Sequence, residues 1–268
     1  MRLFRRLAIA KNTLAEKGIL FRTRYLNSNL LKIINNQTQK YWLFVFVFIS
    51  IFHLISIGAE WDGIIRITKP MLISSLAIWF YLSVQDKSSQ PFRFFLLGLC
   101  LSVLGDVLLM FVKPYGEQYF LMGLGAFLFA HLSYIISFVK FPRFPNGEVA
   151  KKRWLVIPFL LFLIVAIAFL RPYLGSFLFP VSIYSAVIIT MALSSYNING
   201  RTKPPYAKSI FIGAIFFVLS DFTIAITKFV APELDLTIGS LFIMSTYLLG
   251  QFLLCYGMKS ALNQETLR

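Results

Sequence analysis

The chain has 268 residues, of which 58% are hydrophobic, 17% aromatic and only 14% charged, with a mean hydropathy of +0.74 and a net charge of +15. A soluble domain is about half apolar and about one-quarter charged, so this composition excludes an ordinary soluble globule. The basic residues flank long apolar runs and form no continuous patch, which points to a membrane and away from nucleic acid.

Residues 1–40 carry nine Lys and Arg against a single acid, Glu16. They lack the uninterrupted apolar stretch of a signal peptide. A basic tail lying on anionic lipid is expected, with a transit peptide as the alternative. Eight apolar runs of spanning length follow, at roughly 41–59, 67–84, 92–112, 119–138, 154–170, 173–194, 209–227 and 237–257. The predicted fold is all-α, a polytopic membrane bundle of about eight transmembrane helices over 41–257, closed by a tail at 258–268. Only Arg171 and Pro172 separate the fifth and sixth runs, which predicts a tight turn there. Pro70 reads as a helix-start proline. Cys100 and Cys255 both fall inside apolar runs and read as small core residues.

With the N-terminus in the cytoplasm, 21 of the 26 Lys and Arg lie on the cytoplasmic side. The opposite side holds only Arg66, Lys69, Lys113, Arg171 and Lys228. The positive-inside rule therefore predicts a multi-pass protein with both termini cytoplasmic, in a bacterial inner membrane or an ER-type membrane. The sequence leaves the oligomeric state open.

The third and seventh runs share the pattern G-x4-V-L-[GS]-D-x6-K, from Gly98 through Asp106 to Lys113 and from Gly213 through Asp221 to Lys228. The next runs continue the likeness, with Gly123 eight residues before His131 and Gly239 eight before Tyr247. A weaker echo, Lys69-Pro70 and Arg171-Pro172, is read at the openings of the second and sixth runs. The pattern predicts two parallel four-helix repeats; chance similarity between apolar helices is the alternative.

Asp106 and Asp221 are the only carboxylates inside the runs. A charge at mid-membrane costs at least ~2.5–3.5 kcal/mol on insertion scales, so such residues are functional candidates by default. Each stands seven residues before an outer-side lysine, or ~10 Å by helix rise. Two acids at one depth could share a cavity, one protonated and donating, the other accepting, as acid–base hydrolysis requires. Asp residues that merely bond neighbouring helices are the plainer reading. Phe127, His131 and Tyr134 share one helix face at i, i+4 and i+7, and Tyr247 and Gln251 form an i, i+4 pair. Lys69 stands near the outer end of its run, placed to neutralise a carboxylate or a lipid phosphate, or simply to snorkel. His53 has no polar company in sequence and reads as a packing residue. With two histidines, a multi-His zinc site is not expected, and no phosphate loop or serine-nucleophile motif appears.

At these residues the chain resembles the YhhN family of membrane proteins, whose eukaryotic members are lysoplasmalogenases. The likeness covers roughly 41–257. It is carried by Lys69-Pro70, Gly105-Asp106, Phe120, Gly123, Phe127, His131 and Tyr134, then Tyr184, Gly213-Ala214, Phe217, Ser220-Asp221, Lys228-Phe229, Tyr247 and Gln251. The resemblance implies eight transmembrane helices, a lysophospholipid substrate drawn from membrane lipid, and cleavage of the vinyl ether bond of a lysoplasmalogen. The products would be a fatty aldehyde and a glycerophospho-ethanolamine or -choline. It implies catalytic roles for Asp106 and Asp221, with Lys69, His131, Tyr134, Tyr247 and Gln251 considered as substrate-binding, and no metal or organic cofactor. A proton-coupled transporter or lipid carrier is the alternative from another class. An intramembrane aspartyl protease fits less well, because Val103 stands where its G-x-G-D motif needs glycine.

Overall fold

The computed structural model describes residues 36–141, 147–232 and 236–266. The expected basic tail lies, up to residue 35, outside the described residues. Eight long helices carry the fold: α1 Asn36–Gly58, α2 Asp62–Ser83, α3 Gln90–Met110, α4 Glu117–Lys140, α5 Val156–Leu174, α6 Leu178–Tyr196, α7 Pro204–Ala225 and α8 Leu236–Thr266. Among the described residues no β-strand forms.

Among the described residues, seven segments are long and apolar enough to cross a bilayer, and one of them, Arg153–Tyr196, is 44 residues long. As a single rod it would reach ~66 Å at 1.5 Å per residue, about twice a hydrocarbon core. It instead folds back on itself. Gly175 takes φ +48, a left-handed conformation open to glycine, and starts a short 3-10 turn over Gly175–Phe177. Phe159 near the start of α5 then meets Tyr196 at the end of α6, ring centroids 6.4 Å apart. The chain is an integral, multi-pass helical membrane protein with eight such helices among the described residues.

Four local expectations are corrected. The turn between α5 and α6 is at Gly175, not at Arg171-Pro172, because Pro172 is accommodated inside α5. The echo of Lys69-Pro70 in Arg171-Pro172 therefore fails, since the second pair closes α5 and does not open α6. Pro70 also lies inside its helix. The apolar run begins near Ile67, but α2 starts earlier, at Asp62, where an acid suits the positive end of the helix dipole. Of the cysteines, Cys255 is buried, whereas Cys100 is on the exposed face of α3.

The most closely packed neighbours are α3 with α4 and α7 with α8. Small residues make this possible. A Cβ on Gly213 would stand 2.8 Å from the Gly250 carbonyl oxygen, so α7 and α8 touch backbone to backbone. On α3, a Cβ at Gly98 would strike the Tyr134 ring at 2.5 Å and one at Gly105 the Phe127 ring at 2.6 Å. The two hairpins share a register. Gly98 faces Tyr134, eleven residues after Gly123, and its counterpart Gly213 faces Gly250, eleven residues after Gly239. Gly105 faces Phe127, and its counterpart Ser220 donates to the carbonyl of Ile243, each partner four residues after its marker glycine. The α3–α4 unit is thus repeated as α7–α8.

Around this centre, α2 packs on α3 and α8, while α6 packs on α4, α5 and α7. The outer faces are strongly apolar: Phe44, Phe48, Ile51 and Ile55 on α1, and Ile157, Leu161, Ile164 and Val165 on α5, are all exposed. That surface would be unfavourable in water and suits lipid tails. At one end, the turn after α6 sends Arg201 back to the C-terminus of α4. Arg201 is 8% exposed, and its guanidinium donates to the carbonyl oxygens of Phe138 at 3.0 Å, Val139 at 3.3 Å and Phe141. Carbonyls at a helix end lack the usual intrahelical partners, although the Phe138 oxygen also accepts from the Phe141 amide at 3.4 Å.

Candidate active site

Each membrane acid sits one turn after a position that touches the opposite hairpin, and the two have different surroundings. Asp106 on α3 is buried, and its Oδ2 accepts from the Tyr247 hydroxyl of α8 at 2.8 Å. One turn away, Gln251 Nε2 donates to Ser102 Oγ at 3.2 Å, and its Oε1 accepts from the Tyr134 hydroxyl at 3.1 Å. Ser102 in turn donates to the Gly98 carbonyl. This is a closed polar network across α3, α4 and α8, with its members buried.

Asp221 on α7 is half-buried. Its Oδ2 accepts from the Tyr184 hydroxyl of α6 and lies 3.5 Å from His131 Nε2 of α4. His131 Nε2 is also 3.0 Å from the Tyr184 oxygen. With the Tyr184 proton given to Asp221, the network assigns the His131 proton to Nε2, donating to Tyr184. His131 Nδ1 is buried and has no hydrogen-bond partner among the described residues.

Phe217 stands between the two clusters. Its ring meets His131 edge-on at 4.7 Å and Tyr247 at 5.3 Å. Lys69 is half-buried on α2 and makes no ion pair among the described residues. His53 on α1 is buried, with Nδ1 2.7 Å from the Thr68 hydroxyl of α2. That bond ties α1 to α2.

An open cavity lies among α4, α5, α6 and α7, with about 770 Å³ of atom-free space when the solvent at its mouth is counted. Its wall is mainly apolar, from Leu124, Phe162, Ala166, Ile188 and Phe222 among others, and the one carboxylate in it is Asp221, beside Tyr184. A polar cavity shared by both acids was expected, but Asp106, His131, Tyr134, Tyr247, Gln251 and Lys69 lie outside this wall. His131 stands behind it, in contact with both Tyr184 and Asp221. Among the described residues no three of His, Cys, Asp and Glu come together as a metal site.

Tyr184 enters this site from the sequence only as part of a motif. A phenol midway along the apolar α6 was the available signal. Glu117 and Lys228 at one end of the cavity gave no pairing signal, being 111 residues apart.

The chain matches the YhhN family over residues 64–258. It is 32% identical over 160 residues to the human protein lysoplasmalogenase TMEM86A, a match covering 58% of this chain and 61% of that relative. The matched region thus spans less than two-thirds of the relative's length. No solved structure matches. The family match takes in both acids, His131, Tyr184 and the paired hairpins, and the chain belongs to the YhhN family.

Proposed function

We propose that this protein hydrolyses the vinyl ether bond of a lysoplasmalogen, with Asp221 as the acid that meets the substrate. The observation that carries the reading is one carboxylate set in the wall of an apolar cavity, its Oδ2 held by Tyr184 and His131. Among the described residues Oδ1 has no such holder, and in this reading it is the oxygen that meets the ligand.

The alkenyl chain fills the apolar cavity. Neutral Asp221 delivers its proton to the β-carbon of the vinyl ether; the C=C pair forms the new C–H bond, and the ether oxygen shares its lone pair with the α-carbon. The resulting oxocarbenium ion faces the Asp221 carboxylate, which Tyr184 and His131 hold in place. Water adds to the α-carbon and returns a proton to the carboxylate. The hemiacetal then expels the glycerol oxygen, which takes a proton, and aldehyde is released. One water is consumed and no net proton. Enzymes of glycoside hydrolysis stabilise a related cation with carboxylates.

In this reading Asp106 does not touch substrate. Its charge, fixed by Tyr247, stabilises the cation from behind the Phe217 ring, so Asp106 is a positioning and electrostatic residue. Tyr134 and Gln251 hold that cluster together, and Lys69 balances its charge. The Lys/Arg-rich helix ends, with both termini, face the cytoplasm. Glu117 and Lys228 then lie on the opposite side.

The test is purified protein in nanodiscs with a lysoplasmalogen in deuterated water. Aldehyde carrying one deuterium beside the carbonyl carbon supports the reading. Movement of the lipid or of protons across the membrane, with no aldehyde formed, would support the carrier instead.

A further inference from the structure

We infer that Glu117 and Lys228 form the headgroup subsite, which selects a zwitterionic phosphoethanolamine. The inference rests on the lysoplasmalogen reading for the class of lipid.

Beyond Ala225 the end of α7 widens into a π-turn, Ile226–Val230, with the Ala231 amide bonded to the Ile226 carbonyl at 3.0 Å. Such turns re-aim side chains and are frequent at functional sites. Here the turn carries Lys228 over the Phe120 ring at 4.3 Å, with the Phe229 ring at 5.6 Å and the Phe177 ring at 5.9 Å. Lys228 Nζ also donates to Glu117 Oε2 at 2.7 Å. Phe120 and Phe229 are themselves part of the cavity wall that holds Asp221. The ion pair therefore stands over the end of the same cavity.

The spacing suits the substrate. Asp221 and Lys228 are seven residues apart, ~10 Å by helix rise. About seven bonds separate the β-carbon of the vinyl ether from phosphorus, roughly 8 Å at the ~1.2 Å per bond of an extended chain. With the β-carbon at Asp221, the phosphate reaches Lys228. The ammonium follows a few bonds later and meets Glu117, whose side chain is 58% exposed and free to swing. The internal ion pair is exchanged for two pairs with the headgroup, so neither charge is stranded.

A primary ammonium can donate hydrogen bonds to Glu117; a quaternary one cannot. The aromatic rings that would favour the quaternary group are already occupied by Lys228. Ethanolamine is therefore preferred to choline, and both to a bare phosphate monoester. The other half of the chain shows that the arrangement is not generic. Lys113, the repeat counterpart of Lys228, is exposed and makes no ion pair among the described residues.

The test measures equilibrium binding of saturated-ether lysophospholipids, which cannot be cleaved, to the full chain in nanodiscs. Ligands carry ethanolamine, choline or phosphate-monoester headgroups. Wild type should prefer ethanolamine. Lys228→Gln should weaken all three at least tenfold, Glu117→Gln should erase the preference for ethanolamine, and Lys113→Gln should change nothing. The reversed pair, Glu117→Lys with Lys228→Glu, keeps the ion pair and the fold but should bind the ethanolamine lipid at least tenfold more weakly. Wild-type binding by the reversed pair, equal binding of all headgroups by wild type, or no binding at all would overturn the subsite. Because these ligands do not react, absence of aldehyde from the natural substrate would defeat the hydrolase alone, and aldehyde release with unselective binding would defeat the subsite alone.

Discussion

The Tyr247 hydroxyl donates to Asp106 across the seam between the two halves of the chain, at 2.8 Å. The repeat counterpart of Tyr247 is His131, and it meets the other acid, Asp221, at 3.5 Å. Each acid is thus served by the matching position of the opposite hairpin. A duplicated α3–α4 unit packed on its copy explains why two acids at one depth are both retained near the centre. The two hairpins differ in their surroundings: one acid is sealed in a hydrogen-bonded network, and the other lines a cavity.

Tyr184 tests whether the held oxygen matters. Tyr184→Phe removes the donor to Asp221 and leaves His131 without its acceptor. A hydrogen bond to a charged group is worth ~1.5–3 kcal/mol, so turnover should fall by roughly tenfold to a hundredfold. Thermal unfolding should change far less than the rate. A variant with wild-type turnover would remove Tyr184 from the mechanism.

Ala166 tests the cavity. It lies on α5 in the cavity wall, and Ala166→Phe projects a ring into the space assigned to the chain. Long alkenyl chains should lose apparent affinity, with KM rising at least tenfold, while short chains retain theirs. Overpacking a filled core costs ~1–3 kcal/mol, but here the ring has empty volume to enter. A chain-length profile identical to wild type would place the lipid elsewhere.

Arg201 tests the fold apart from the chemistry. Arg201→Ala leaves the Phe138, Val139 and Phe141 carbonyls without their shared donor. A buried group left unsatisfied costs ~1–3 kcal/mol, which should show as a lower unfolding temperature in detergent. Arg201→Lys should recover only part of the loss, because one ammonium cannot match the planar fork. Turnover per folded molecule should be unchanged.

The helices were legible because the apolar runs are long and their ends are marked by Lys and Arg. Their limits were less so: Asp62 starts α2 five residues before the apolar run, and Arg171-Pro172 looked like a turn that Gly175 makes instead. Hydropathy reports lipid contact, not where a helix begins. The acids stood out by their cost in a membrane, and the duplication by spacing. That Asp221 meets a cavity while Asp106 is closed off was not legible. Both have the same local pattern, and the difference comes from α5 and α6, which leave space beside α7. The Glu117–Lys228 pair was hidden for a similar reason, since only the packed bundle brings its partners together.

The central claim is that Asp221 delivers the proton and Asp106 acts from behind. It is tested most directly by aldehyde release from wild type, Asp221→Asn and Asp106→Asn at matched levels of folded protein. Asparagine keeps the size and polarity of aspartate but has no acidic proton to give. Losing a general acid costs about 10²–10⁴-fold. Asp221→Asn should fall by that much, with binding of the uncleavable lipid little changed, and Asp106→Asn should fall less, by roughly ten- to a hundredfold, as expected for removing a charge that acts at a distance. Wild-type rates from Asp221→Asn, or a larger loss from Asp106→Asn than from Asp221→Asn, would contradict the account.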